Sequence, residues 1–180
     1  MNPFENIYVP ISNSITKKKT LSKQDLQKLL LAPKIREPIG IRDKALLVLM
    51  AIYGLEVWQI EQLDVGHIDV EHEAIHLETR GGKPNILLIN ENAMIFITKW
   101  LRTRSLFKMD TQAVFISMHW VSGRGEPGKR LSRRGIRLIV DGYLKELEIK
   151  KLGFSCKNLR QLAMQSSMQN SEYILSILNR

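Results

Sequence analysis

The most informative part of the chain is the stretch RDKALLVLMAIYGLEVWQIEQLDVGHID, which covers residues 42–69. Its first half is apolar on nearly every side, and this pattern predicts a central core helix over about 41–53. Asp43 suits the positive end of such a helix, and Gly54 is a natural C-terminal cap. A second, short helix is predicted at about 57–63.

The residues that follow change from a helical period to a period of two. Apolar and polar side chains alternate over 75–80, Gly81 and Gly82 supply a turn, and residues 86–89 return as a second strand. Alternation on both sides of a glycine turn predicts a β-hairpin.

Helices are predicted on both sides of this hairpin. Ser22 and Asp25 have the spacing of a capping box for a helix that ends before Pro33. Asn90 can cap a helix that runs to about residue 103. Ser132 can cap a later helix, whose apolar residues recur at intervals of three and four.

The remaining segments complete a mainly helical chain. A short strand is predicted over 113–117, and helical sequence resumes near residue 157 and continues in two pieces to 180. The predicted fold class is therefore mainly α with a small β-hairpin or sheet, of the α+β type. Residues 1–19 are predicted to be a polar, basic tail and 20–180 a single domain.

Composition narrows the class of protein. The chain has 180 residues, 44% of them hydrophobic, so a real core can be buried and wholesale disorder is excluded. Cys156 is the only cysteine, so an internal disulfide is impossible and a reducing compartment is expected. The longest apolar run, 45–55, is too short to cross a membrane, and the first residues do not resemble a signal peptide. We expect a cytoplasmic protein without membrane contact.

The charge of the chain indicates anionic partners. Its net charge is +9, from 27 Lys and Arg against 18 Asp and Glu, which favours nucleic acid, acidic membrane or phosphorylated ligands. One basic group is formed by residues 17–19. A second group has six cations that only Glu126 opposes in the local sequence: Arg124, Lys129, Arg130, Arg133, Arg134 and Arg137. The alternative for both groups is a solvated surface that keeps the protein soluble.

Other local patterns indicate little chemistry. Residues 123–129 fit the start of a phosphate-binding loop, but Arg130 stands where a nucleoside triphosphatase needs Ser or Thr for magnesium. His72 and His76 have a metal-ligand spacing but fall at the start of a strand, so no metal site is expected. Cys156 is expected to be a buried structural thiol. Core or interface positions are expected for the tryptophans, Trp58, Trp100 and Trp120.

The order of four segments along the chain is more specific than any one of them alone. They are residues 42–69, TRGGKPNILLI at 79–89, LSRRGIRLIV at 131–140 and SCKNLRQLA at 155–163. This ordered set resembles the catalytic domain of the tyrosine recombinases, also called phage integrases, over about 21–180. The resemblance implies the DNA breaking-rejoining fold. It also implies a chemistry in which a tyrosine oxygen attacks a DNA phosphate, two arginines hold that phosphate, and a lysine protonates the leaving oxygen. No metal and no cofactor are implied, because the covalent link stores the bond energy. The family's N-terminal core-binding domain is not expected in this chain.

The resemblance places family site residues at positions that are partly substituted. The second arginine matches Arg160, and the histidine of its box is Lys157 here. The hairpin lysine falls at Arg80, with Lys83 three residues later, and arginine hardly ever gives up its proton. The first arginine is Glu56, which is a charge reversal at a phosphate-binding position.

The nucleophilic tyrosine is not expected within the chain. In the family it lies on a segment well beyond the box arginine, and Tyr173 is much too close to Arg160. Tyr143 shares a helix face with apolar residues and is expected to be a core residue. A late Leu-Gly-His motif of the family aligns only loosely with 178–180.

These substitutions favour a DNA-binding protein that cannot cleave DNA by itself and that serves integration or site-specific recombination as a regulator or accessory factor. The expected partners are double-stranded DNA and another recombinase subunit or a second copy, and the expected location is the nucleoid. Phosphate contacts are expected from the six cations between Arg124 and Arg137, beside Lys157 and Arg160. Two alternatives stay open: an active recombinase with a tyrosine supplied in trans, and a protein-interaction remnant without a DNA role.

Overall fold

The computed structural model describes residues 21–79, 81–107, 109–118, 128–149 and 155–159. In these ranges the elements are α1 (Lys23–Leu31), α2 (Pro38–Ala51), α3 (Val57–Gln62), a 3-10 turn (Val65–His67), β1 (Ile68–Asp69), β2 (Ala74–Glu78), β3 (Pro84–Leu88), α4 (Glu91–Arg104) and α5 (Arg133–Glu146). The three strands form one antiparallel sheet in the order β1-β2-β3. A mainly helical chain with a small sheet is the predicted fold class, which is confirmed.

The centre of the core is α2. Every residue from Ala45 to Ala51 is buried, and α1 and α4 pack against this helix. An apolar pattern on all sides requires neighbours on all sides, which explains why α2 is enclosed. Trp100 of α4 is fully buried beside it.

The predicted helix caps are present. Ser22 accepts a hydrogen bond from the Asp25 N–H at 3.1 Å, and the Asp25 carboxylate accepts from the Ser22 N–H. Asn90 accepts from the Asn92 N–H at 2.9 Å, and Ser132 accepts from the Gly135 N–H at 3.2 Å. These side chains satisfy backbone N–H groups that have no partner inside the helix.

The hairpin also has its predicted turn, with Gly82 at φ 70°. The strands pair from Ala74 opposite Leu88 to Glu78 opposite Pro84. The sequence did not predict β1, because its two residues are too few to show an alternating pattern.

The prediction that Asp43 lies in the first turn of the central helix is wrong. The helix begins earlier, with Pro38 in its first turn, so Asp43 lies further along and is buried. Its Oδ1 accepts a hydrogen bond from Arg42 Nε at 2.8 Å, and its Oδ2 accepts from the Tyr143 hydroxyl at 3.1 Å. Burial and the Asp43 carboxylate raise the pKa of Tyr143. Asp43 therefore links α2 to α5 rather than interacting with the end of a helix.

The strand predicted over 113–117 is not formed. The segment has only isolated bridges, Asp64 with Ala113 and Ile116 with Arg130. Three of its carbonyls accept hydrogen bonds from buried side chains: Ala113 from Arg104 Nε at 2.7 Å, Val114 from Trp100 Nε1 at 2.8 Å, and Ile116 from Arg42 Nη1 at 3.1 Å. Backbone hydrogen bonds join the segment to Leu63, through the Val114 N–H, and to Lys129 and Leu131, through the Ser117 N–H and the Phe115 carbonyl. Side chains of α2 and α4 thus occupy three carbonyls that a continuous ladder would use.

Lys44 is a buried lysine that joins α1 to α2. Its Nζ donates to the Leu30 carbonyl, in the last turn of α1, at 2.5 Å and lies 4.8 Å from the centre of the Phe96 ring. Burial lowers the pKa of Lys44 to about 8. A cation at this position satisfies a terminal carbonyl of α1.

Within the described residues, none of the helices combines the length and the apolar content that a membrane span requires. Several predictions fall outside those residues. They are the basic tail at 1–19, most of the loop at 123–129, Trp120, and the segment from 160 to 180 with Tyr173.

Candidate functional site

A cleft of about 730 Å³ lies between the start of α3, one face of α5 and residues 155–157. It is lined by Glu56, Val57, Trp58, Arg133, Arg137, Asp141, Ser155, Cys156 and Lys157. Four of these side chains are candidate site residues from the sequence: Glu56, Lys157, Arg133 and Arg137. The fold therefore brings together residues that lie up to about a hundred positions apart in the chain.

Helix starts place the acidic and basic groups around this cleft. Glu56 is the N-cap of α3, and its N–H donates to Gln59 Oε1 at 2.9 Å. Because Ser132 caps α5, Arg133 and Arg137 lie in its first two turns, four residues apart and on neighbouring positions of one face.

Lys157 reaches the cleft from a short helical turn. Asn158 Oδ1 accepts from the Ser155 N–H at 2.8 Å, which holds the beginning of this turn. Cys156 is a buried thiol, as predicted, and forms no disulfide, while the next residue, Lys157, is exposed. The turn thus buries Cys156 and leaves the Lys157 side chain exposed at the cleft.

Two of the predicted DNA-contacting arginines are paired within the protein. Arg130 donates from Nη1 to the Glu61 carbonyl at 2.6 Å and from Nη2 to Asp64 Oδ1 at 2.5 Å. Arg133 donates from Nε to Glu61 Oε2 at 2.5 Å, and its N–H donates to Glu61 Oε1 at 3.1 Å. In the folded chain, Glu61 and Asp64 therefore oppose this cluster in addition to its only acidic neighbour in the local sequence, Glu126. Glu61 and Asp64 come from positions 72 and 66 residues away, and no local pattern indicates them.

The remaining predicted cations differ in their positions. Arg134, Arg137 and Lys157 are exposed, and among the described residues no hydrogen bond or ion pair engages their side chains. Lys129 is exposed as well. Lys83 is exposed on the hairpin turn, where its carbonyl accepts from the Thr79 hydroxyl at 2.9 Å, and it is not among the residues that line the cleft.

Three predicted site residues, Arg80, Arg124 and Arg160, lie outside the described residues. The predicted grouping of Arg80 and Arg160 with Lys157 stays a prediction. The same holds for the other phosphate contacts derived from the resemblance.

A second depression, of about 390 Å³, borders the cleft at Trp58 and reaches the hairpin at His76 and Glu78. His67 lines it, and its Nδ1 accepts from the Asp64 N–H at 3.1 Å. His72 is instead exposed and contacts Asp69 at 2.8 Å, and hydrogen bonds from His72 lower the pKa of Asp69. Across the described ranges, no three His, Cys, Asp or Glu side chains are grouped as metal ligands.

Comparisons with known proteins agree with this fold. The model of the phage integrase family matches residues 19–176. The chain is 32% identical over 119 residues to "Tyrosine recombinase XerC" of Escherichia coli O127:H6, a match that covers 66% of this chain and 37% of that protein.

Solved structures with the same fold are more distant in sequence. A crystal structure of XerA recombinase matches with a TM-score of 0.66 at 19% identity, covering 87% of this chain and 55% of that one. XerH bound to difH substrate matches with a TM-score of 0.65 at 14% identity, covering 89% and 49%. A lambda integrase dimer bound to a COC′ core site has a TM-score of 0.54 at 14% identity, covering 87% and 56%. The chain thus spans about a third of the matched XerC proteins and about half of these solved chains.

Proposed function

The chain belongs to the phage integrase family, and we propose that it binds duplex DNA through the cleft between α3 and α5 but does not cleave DNA by itself. Its role would be that of an accessory or regulatory factor in DNA integration or site-specific recombination. Such a protein would act at the nucleoid.

The observation that carries the proposal is the convergence of Arg133, Arg137 and Lys157 on one cleft. A DNA backbone carries closely spaced phosphates, and Lys and Arg side chains supply most of the affinity for them. Guanidinium groups suit phosphate because they donate several hydrogen bonds in one plane. DNA-bound structures of XerH and lambda integrase share the fold, which supports DNA as the ligand.

Glu56 is the reason for proposing that the chain does not cleave DNA alone. It lines the same cleft, at the position where the resemblance expects an arginine that holds the reacting phosphate. Two unit charges about 4 Å apart interact by about 4 kcal/mol at an effective dielectric constant of 20. Replacing attraction by repulsion of that size opposes the extra negative charge of the transition state. Asp141 adds a second carboxylate to the cleft.

DNA binding at several salt concentrations tests the first half of the proposal. The logarithm of the binding constant should fall linearly with the logarithm of salt concentration, with a slope of about −0.9 for each phosphate neutralised. Arg137→Ala and Lys157→Ala should each reduce the magnitude of that slope by about 0.9. Arg102→Ala is the matched control, because Arg102 is exposed on α4 and does not line the cleft. A slope that is the same in the parent protein and in both cleft variants would contradict binding through the cleft.

Covalent capture on a nicked DNA duplex tests the second half. The protein alone should give no covalent protein–DNA product after denaturation, whereas an active tyrosine recombinase as positive control should give one. A product formed by the purified chain alone would refute the proposed loss of cleavage. A covalent product that forms on DNA bound by this chain only when a relative is added would favour the alternative of a tyrosine supplied in trans.

A further inference from the structure

We infer that Glu61 is a positioning residue for DNA binding, which holds Arg133 so that its terminal guanidinium nitrogens can contact a phosphate. The inference deepens the proposed function and rests on it. It also gives Arg133 and Arg130 different roles, although both are predicted from the sequence to contact DNA.

Glu61 contacts Arg133 in two ways. Its Oε2 accepts from Arg133 Nε at 2.5 Å, and its Oε1 accepts from the Arg133 N–H at 3.1 Å. That N–H belongs to the first residue of α5 and therefore has no acceptor within the helix. The Glu61 carboxylate therefore holds both the backbone N–H at the start of α5 and the Nε of the Arg133 guanidinium group.

This arrangement leaves the outer part of Arg133 available. Because Nε takes the carboxylate, Nη1 and Nη2 have no partner among the described residues, and Arg133 lines the cleft. The side chain of Arg133 is 51% exposed, whereas that of Glu61 is 23% exposed. A phosphate can therefore approach the terminal nitrogens while the contact with Glu61 is kept.

Arg130 has the opposite arrangement. Both of its terminal nitrogens are bound within the protein, Nη1 to the Glu61 carbonyl and Nη2 to Asp64. Arg130 is not among the residues that line the cleft. Its guanidinium group joins the segment before α5 to the end of α3, so its main role is structural.

The test uses the intact chain and the variant Glu61→Asp, which keeps the charge but is shorter by one methylene group. A freed arginine must be ordered again when DNA binds, so Glu61→Asp should weaken DNA binding by about three- to tenfold. In an Arg133→Gln background the same change should have no effect. Arg130→Gln should leave the salt dependence of DNA binding unchanged, whereas Arg133→Gln should reduce the slope by about 0.9.

A measurement without DNA checks the positioning itself. In NMR spectra the Arg133 Nε–H should exchange slowly with solvent in the parent protein and rapidly in Glu61→Asp. Thermal unfolding of each variant shows whether the fold is retained. If Glu61→Asp is destabilised, the same comparison is made with Glu61→Gln, which keeps an acceptor for the Arg133 N–H.

The outcomes are distinguishable. A parent protein that binds no DNA overturns the proposed function and this inference together. A parent that binds DNA, with Glu61→Asp binding equally well or losing the same factor in the Arg133→Gln background, overturns this inference alone. Fast exchange of the Arg133 Nε–H in the parent protein also overturns it.

Discussion

The buried ammonium of Lys44 should make the stability of the protein increase with pH in the alkaline range. In the folded state burial lowers the pKa of Lys44 from 10.5 to about 8. The unfolded chain therefore binds more protons than the folded chain between about pH 8 and 10.5, and unfolding becomes less favourable as pH rises through that window. Well below pH 8 the group is protonated in both states, and its contribution no longer changes.

The size of the effect follows from the two pKa values. Each pH unit of difference is worth about 1.4 kcal/mol, so the protonated lysine costs the folded state about 3 kcal/mol relative to the neutral form. Between pH 7 and pH 10 about 2.5 kcal/mol of this cost is relieved. The Leu30 carbonyl and the Phe96 ring favour the ammonium, so they limit the shift rather than add to it.

The assay is urea unfolding of the parent protein and of Lys44→Met at pH 7, 8, 9 and 10. The difference in unfolding free energy between the two proteins should change by about 2.5 kcal/mol in favour of the parent from pH 7 to pH 10. Groups common to both proteins cancel in this difference. Lys99→Met is the control for the loss of a lysine charge, because Lys99 is exposed on α4. A difference that stays constant with pH would show that Lys44 is not desolvated as described.

Two further substitutions test the packing of α5. Glu148 has φ 56° directly after the helix cap, where the Ile149 N–H donates to the Leu144 carbonyl at 2.9 Å. This left-handed backbone favours glycine, so Glu148→Gly should raise the unfolding free energy by about 0.5–1 kcal/mol. Equal or lower stability in urea unfolding would contradict this prediction. Tyr143→Phe removes the donor to Asp43 and should destabilise the protein by about 1–2 kcal/mol near pH 7. Because the folded pKa of Tyr143 is raised, the parent should lose stability above about pH 10 relative to Tyr143→Phe. Calorimetry across pH 8–11 measures this difference in stability, and a difference that does not change with pH would contradict the prediction.

Local signals account for most of the helices. The capping side chains Ser22, Asn90 and Ser132 and the glycine turn at Gly82 act within a few residues of themselves, so their effect is visible in the sequence. The apolar pattern predicts the start of α2 too late, because the helix begins at Pro38, before the apolar run, and proline suits the first turn of a helix. The strand predicted over 113–117 is not formed for a different reason, since side chains of α2 and α4 occupy three of its carbonyls and only isolated bridges join it to other segments.

The candidate site, like the fold, is predictable from the sequence only in part. Its cationic character, and the acidic residue at position 56, can be recognised from residue types and their order alone, because charge and short-range periodicity are properties of the chain itself. Which cations face the cleft is a different matter. Glu61 and Asp64 meet Arg133 and Arg130 only after α3 has packed against α5, across 72 and 66 residues of chain. Because an ion pair depends on distance in space rather than along the sequence, folding determined that one arginine is bound within the protein while the other keeps two nitrogens available to a phosphate.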